Sequence, residues 1–375
     1  MKKVLHVIKT KKLESDGRLL KWINALSRYN IGSEVLILED KCTEANLFID
    51  ATIRRLSLKS RKIFSQRKGY FFKIPEYSII CLNQIYKTKS EIILFHDVQQ
   101  YLNILIFCLF FRKYLKKKIL WDLHELPHDI LLNFRITKKV LKYLLETVDC
   151  VIYTNEERRL YLTRKLNQQE KRTIVLNNYP DENFITGIFS PLPENINVWL
   201  DGMPYVLWMG IASKARNFQS FINVYEKYKD SFKVIIMGSV APEFDGIVKS
   251  YIKSNHIYTI FVSQSEIQRF VDNALFSVVL YSDDSPNNFY CEPNRLYQLI
   301  TRKIPVIVGN NPIMKSLVKR LNAGIVLSDD GKDTLSLDLA IENMLIKISE
   351  FKSSLNKVDL TFLSWEKQFK EIHVF

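Results

Sequence analysis

The chain has 375 residues, enough for two or three domains and a sizeable buried core, which excludes a small disulfide-stapled scaffold. Apolar residues make up 47% and charged residues 25%, ordinary values that speak against wholesale disorder and against a polytopic membrane protein. The charge is uneven: 54 Lys and Arg against 40 Asp and Glu give +14, and residues 1–180 hold 34 of those bases against 18 acids, so the excess belongs to the amino-terminal half.

A basic half implies an anionic partner, whether nucleic acid, a membrane surface or an anionic substrate. The five cysteines, Cys42, Cys81, Cys108, Cys150 and Cys291, are scattered and odd in number, with no C-x-x-C spacing, so they read as buried free thiols in a reducing compartment. Met1-Lys2-Lys3 is basic, but the apolar run at residues 4–8 is too short for a secretory leader and no small-residue cleavage site follows. The longest apolar run, residues 101–111, falls well short of the ~20 residues of a membrane-spanning helix. The expectation is a cytoplasmic chain that is soluble or lies on the inner face of the cell membrane.

Val4-Leu5-His6-Val7-Ile8 reads as a buried strand, followed by a polar loop, an amphipathic helix over 19–29 and a second strand at Val35-Leu36-Ile37-Leu38. The alternation recurs. Ile92-Ile93-Leu94-Phe95 ends in His96-Asp97, a helix follows over about 100–114, and a strand at 118–122 leads into a loop at His124. Strands at 148–154 and 173–176 complete this half. Between 177 and 204 the pattern lapses and Pro180, Pro191, Pro193 and Pro204 cluster, which reads as a linker. Strands then restart at 205–210, 233–238, 277–280 and 305–309, the first two ending in Gly210 and Gly238, with helices from about Leu335 to the end. Short apolar strands alternating with helices predict parallel sheets covered on both faces, here as two α/β, doubly wound domains facing one another across a ligand cleft.

Cys291-Glu292-Pro293-Asn294-Arg295-Leu296-Tyr297-Gln298 carries the most chemistry. Pro293 suits the first turn of a helix, where the free amides of Asn294, Arg295 and Leu296 would offer an anion site. A Pro-initiated helix is common by itself. Its distance to Lys303-Ile304-Pro305-Val306-Ile307-Val308, however, resembles the donor-binding domain of GT-B glycosyltransferases, in particular the family 4-like ("group 1") branch, with its Pro-Asn-Lys-Leu-(Phe/Tyr)-Glu stretch followed by Gly-x-Pro-Val-Ile. The resemblance covers most of the chain. Asp16-Gly17-Arg18 and Gly32-Ser33-Glu34-Val35 resemble the family's opening, His96-Asp97 and Asp122-Leu123-His124-Glu125-Leu126 its two His-bearing strand ends, Asn177-Asn178-Tyr179-Pro180-Asp181 its approach to the linker, and Ser364-Trp365-Glu366 the start of its closing helix.

The resemblance implies a GT-B fold with two Rossmann-like domains: residues 1–180 for the acceptor, a linker at 181–204, residues 205–355 for a nucleotide-sugar, and a closing helix at 356–375 returning to the first domain. Arg216 falls where the family has a diphosphate-gripping Lys, and a guanidinium suits that role. Ile211 replaces a second basic residue, for which Lys214 is the candidate substitute. With Gly210, Gly238, Pro293, Asn294, Arg295, Leu296 and Gln298 these form the expected donor site. Gln298 stands where the family has a ribose-binding Glu, and Tyr290 where it has the first Glu of the pair; a Gln oxygen accepts a weaker, neutral hydrogen bond. His124 corresponds to the family's His near the donor sugar. Asp16, Gly17, Arg18, His96 and Glu125 are expected on the acceptor side. Asp97 and Glu125 are candidates to assist catalysis, with helix capping as the alternative.

The expected reaction is a hexosyl transfer, retaining in stereochemistry, from a nucleotide-sugar co-substrate to a glycan or lipid-linked acceptor, as in the synthesis of bacterial lipopolysaccharide, O-antigen or capsule. No cofactor and no metal are expected, since Asp283-Asp284 and Asp329-Asp330 are adjacent pairs and no Asp-x-Asp is present. The basic clusters at 54–55, 59–62, 67–68 and 112–118, interleaved with Phe64, Tyr70, Phe71 and Phe72, suit either single-stranded nucleic acid or an anionic membrane. The acceptor-domain resemblance favours the membrane and no nucleic acid. The alternatives are a GT-B epimerase, against which no acid and His pair at recognisable spacing is found, and a non-catalytic nucleotide- or glycan-binding partner of a glycosyltransferase complex, which the changes at Gln298 and Ile211 keep open.

Overall fold

The structure, a computed structural model, describes residues 2–40, 50–64, 69–168 and 172–372. Cys42, the Arg67-Lys68 cluster and the Tyr70 side chain lie outside the described residues. The chain divides into two compact units, one of residues 1–177 with 369–375 and the other of residues 178–368.

The first unit is built on a seven-stranded parallel sheet of order β3-β2-β1-β4-β5-β6-β7, formed by Lys3–Thr10, Gly32–Glu39, Ala51–Arg55, Ile92–His96, Lys118–Leu123, Cys150–Tyr153 and Thr173–Val175 as β1 to β7. Its central strands are apolar runs without polar alternation because helices cover both faces. The chain reverses direction across the sheet between β1 and β4, the switch point at which open α/β sheets bind ligands. The helix Gly17–Arg28 starts where the Asp16 carboxylate accepts from the Leu19 N–H at 3.1 Å, and buries Leu19, Trp22, Ile23 and Leu26. The helical stretch read at 100–114 is present but changes to a π turn at Phe107–Phe111.

The second unit repeats the plan with β8 to β13, Tyr205–Met209, Lys233–Met237, Ile257–Ile260, Ser277–Val279, Val306–Val308 and Gly324–Val326, in the order β10-β9-β8-β11-β12-β13. Its switch point lies between β8 and β11. Two hydrophobic clusters sandwich this sheet, one under Leu296 and Leu299, the other around Trp208 and Phe218. Residues 181–204, read from their prolines as a linker, form the helices Glu182–Thr186 and Glu194–Leu200 and bury Ile196 and Leu200 in this unit. Two of the four prolines stand at helix starts: Pro193 precedes the second helix, and Asp181, after Pro180, caps the first. Near the chain end, Phe369 belongs to the first unit, edge-on to Trp22 at 5.4 Å between ring centroids.

The described cysteines Cys81, Cys108, Cys150 and Cys291 are free and buried, and burial pushes the Cys150 thiol up to about 11. Among the described residues no helix is long and apolar enough to cross a membrane.

Candidate functional site

In the second unit, a cavity of about 300 Å³ opens at the switch point, beside the carboxyl ends of β8 and β9. Gly210, Arg216, Gly238, Pro293, Asn294, Arg295 and Gln298 all line it, so seven of the expected donor residues meet in one place. Lys214 is exposed and does not line the cavity, and Leu296 packs in the core while its N–H donates to the Pro293 carbonyl at 3.0 Å. These two expected donor residues are therefore not contacts of the cavity; Leu296 faces inward because position 296 lies on the apolar face of the helix Asn294–Thr301.

The centre of the cavity is a pair of guanidinium groups. Arg295 donates through Nη1 to the Met209 carbonyl, toward which Arg216 Nη1 also points at 3.4 Å. Both stack on Tyr281, at 4.7 Å for Arg295 and 5.3 Å for Arg216. Arg295 is only 8% exposed and its Nε has no hydrogen-bond partner. Burial brings its pKa down to about 10, the Tyr281 oxygen opposing and the Arg216 charge adding to the fall, so it stays charged at neutral pH. Among the described residues no acidic one lines the cavity. Two like charges held together without a carboxylate are relieved by a bound anion.

Glycine makes this approach possible. Gly210 sits at φ +91°, and a β-carbon there would collide with the guanidinium groups of both Arg216 and Arg295. Gly238, at φ +152°, abuts the Gly210 backbone, 2.4 Å from where its own β-carbon would stand to the Gly210 carbonyl oxygen. Sequence reasoning sought the second cation in Lys214; Arg295 fills that place, and no motif points to Tyr281, Phe261, Val262 or Gln264, which also line the cavity. The adjacent acids serve structure: Lys332 bridges Asp284 at 2.9 Å, Asp330 at 3.2 Å and Asp283 at 3.3 Å.

In the first unit, Arg18, His96 and His124 converge on Asp122 at the end of β5. Arg18 grips the carboxylate with Nε at 2.9 Å from Oδ2 and Nη2 at 2.7 Å from Oδ1, and Trp22 Nε1 donates to Oδ2 at 2.7 Å. His124 Nε2 is 3.2 Å from the same oxygen. Behind it, His96 Nδ1 lies 3.4 Å from His124 Nε2, and His6 Nδ1 lies 3.0 Å from His96 Nε2. His96 and Arg18 are buried, so both orient the cluster and neither presents itself to an acceptor as expected; Asp16 is a helix cap and Gly17 the first residue of its helix. Asp97, at φ 67°, caps the turn after β4 by accepting from the Val98 N–H at 2.8 Å. Glu125 is exposed, and His124 is the member of the relay with partial solvent access.

Ligand atoms of His96, Asp122 and His124 lie within 4.8 Å of one another, a spacing a metal ion can bridge. The Asp122 oxygens already accept from Arg18 and Trp22, and the Arg18 charge opposes a cation. The geometry favours a hydrogen-bonded relay.

Burial lowers His96 and holds His6 well below the ordinary 6.5, with Asp122 opposing in both. In the unfolded chain both take up a proton near 6.5, so the stability linked to keeping them neutral is present above 6.5 and lost as pH falls from there toward the folded-state values. Burial also pulls His124 down, but the Asp122 carboxylate outweighs it and raises the group, whose contribution is present below 6.5 and lost as pH rises through the raised value. The urea midpoint should therefore fall on going from about pH 7.5 to about 5.5, and fall by less in His6→Gln. Equal falls would remove His6 from this account.

No family model matches the chain, and no curated protein sequence does. Solved structures do. The chain is similar to sucrose-phosphate synthase from Thermosynechococcus elongatus, at TM-score 0.74 and 14% identity over 99% of this chain and 97% of that one. It is also similar to a glycosyltransferase from Rickettsia africae ESF-5, at TM-score 0.70 and 14% identity over 99% and 96%. A third match is Anabaena HepE in complex with UDP, at TM-score 0.66 and 12% identity over 99% of each chain. The chain thus has the fold of the GT-B glycosyltransferases.

Proposed function

We propose that the chain is a glycosyltransferase of the hexosyltransferase type that takes its sugar from a nucleoside-diphosphate donor held in the second unit. The observation that carries this reading is the Arg216–Arg295 pair, converging in an acid-free cavity at the switch point of a parallel sheet. When the anomeric C–O bond breaks, its electron pair passes to the departing diphosphate, where the two guanidinium groups stabilise the growing charge. The acceptor hydroxyl oxygen forms the new bond and its proton passes to the leaving phosphate, so a retaining transfer needs no separate base. Gln298 accepts from the ribose hydroxyls through its side-chain oxygen. With the charge met by arginines, the reaction as read is independent of a metal.

The similar structure of Anabaena HepE with UDP supports a uridine nucleotide as the first donor to try. Calorimetric titration with UDP, followed by transfer and hydrolysis assays across UDP-, GDP- and CMP-sugars, tests the reading. Absence of nucleotide binding would sink it, and binding without turnover across the panel would favour a non-catalytic nucleotide-binding partner.

The acceptor is read as a glycan or lipid-linked compound of bacterial surface polysaccharide synthesis, met by the basic first unit at an anionic membrane surface. Exposed Leu109, Phe110 and Tyr114, interleaved in sequence with Arg112, Lys113 and Lys116, support this, as do the exposed Phe71 and Phe72, since apolar side chains enter the headgroup region while bases meet anionic lipid. Salt-sensitive cosedimentation of the full chain with anionic vesicles is the check.

A further inference from the structure

The donor cavity has two ends. At one, the guanidinium groups of Arg216 and Arg295 stack on Tyr281, in the turns that follow β8 and β11. At the other, Phe261 and Val262 follow β10, which lies two strands from β8 in the order β10-β9-β8-β11, a separation of about 10 Å at ~4.8 Å per strand. With its diphosphate on the arginines, a nucleotide reaches across that span, ribose first and base beyond. Gln298 stands three positions after Arg295 on the helix Asn294–Thr301, so the two side chains are neighbours on its surface, about 5–6 Å apart at their β-carbons. Gln298 is therefore beside the phosphate end, where the ribose hydroxyl groups fall.

The chemistry of a carboxamide decides how those hydroxyl groups are treated. The vicinal 2′- and 3′-hydroxyl groups of a ribose suit a carboxylate, whose two oxygens both accept, through charge-assisted hydrogen bonds roughly twice as strong as neutral ones. Gln298 has one acceptor oxygen and an NH₂ that only donates. A single hydroxyl, which both donates and accepts, satisfies it at either end. Among the described residues no carboxylate lines the cavity to take over the pairing with a diol, and Gln264, also in the lining, is again a carboxamide. The acids adjacent in sequence to lining residues are turned to other partners: Glu266 pairs with Arg269 at 2.9 Å, and Glu292 accepts from the Tyr297 hydroxyl.

We propose that the donor site accepts 2′-deoxyribonucleoside diphosphates nearly as well as ribonucleoside diphosphates, and that Gln298 sets this tolerance. The inference rests on the donor reading and deepens it. It widens the donor class to deoxyribonucleoside diphosphate sugars, in which the 3′-hydroxyl alone meets the carboxamide.

The test is calorimetric titration of the full chain with UDP and with dUDP, which differ in the 2′-hydroxyl alone. The two dissociation constants should lie within about fivefold of one another, the reach of one neutral hydrogen bond. In Gln298→Glu the carboxylate should favour the diol, raising the preference for UDP over dUDP at least about fivefold above that of the wild type, whatever the absolute affinities. The variant's far-UV spectrum should match the wild type's, and the wild-type pair decides by itself should the variant misfold. A wild-type preference for UDP beyond about fivefold would overturn the proposal and leave the donor reading standing. A smaller rise in Gln298→Glu would remove Gln298 as the determinant and overturn it likewise. If neither nucleotide binds, the donor reading itself fails and takes the proposal with it.

Discussion

Arg216→Ala should lower the rate of sugar transfer by about two to three orders of magnitude, most of it in kcat, the size expected when one preorganised contact to a developing anion is removed. The argument is geometric. Arg216 reaches the cavity from the turn after β8 and is held in place by Tyr281 and the Met209 carbonyl, so little reorganisation is needed when charge builds on the leaving group. Arg295 remains in the variant, which is why the loss should be bounded. Arg216→Lys should recover part of the rate, because an ammonium supplies the charge without the two-pronged fit to phosphate. Steady-state kinetics of each variant with the best donor of the panel measures this. Unchanged kcat and KM in Arg216→Ala would overturn the donor-site assignment, and a raised KM with kcat unchanged would confine Arg216 to ground-state binding.

Most of the architecture was legible because buried parallel strands advertise themselves as unbroken apolar runs, and ten of the thirteen strands are of this kind or close to it. The strands that escaped share a physical reason. Ala51–Arg55 lies at the edge of its sheet with Thr52, Arg54 and Arg55 exposed, Ile257–Ile260 is one edge strand of the other sheet, and Gly324–Val326, at its opposite edge, is opened by a glycine and only half-buried. The donor cavity was legible through Gly210, Arg216 and the Pro293 segment, since those residues carry a recognisable spacing. Arg295 was found but given a lesser part than the structure gives it, because the sequence does not show which face of the helix start turns toward Met209. The relay was the least legible. Trp22 and Arg18 meet Asp122 across 100 and 104 positions of sequence, and His6 sits inside an apolar strand where nothing marks its ring as facing another imidazole.

The same relay sets the largest expected effect on stability. Asp122→Asn should destabilise the protein by about 3–5 kcal/mol, the range found when one partner of a buried ion pair is removed. Asp122 is fully buried and Arg18 is 5% exposed, so the guanidinium left behind has no water to replace the lost charge. Burial by itself would raise the Asp122 pKa; the Arg18 charge, with His124, overcomes this and holds it well below 3.8. The stability tied to that ionisation is therefore present above 3.8 and lost as pH falls below it toward the folded value, and Asp122→Asn should lack this acid step as well as starting lower. The double variant Asp122→Asn with Arg18→Met should regain part of the loss, since it removes the stranded charge together with its partner. Urea unfolding at neutral pH and at about pH 3 measures all three chains. If the single variant matched the wild type at neutral pH, Asp122 would be no keystone of the first unit, and the ordering of His124 would have to come from its backbone alone.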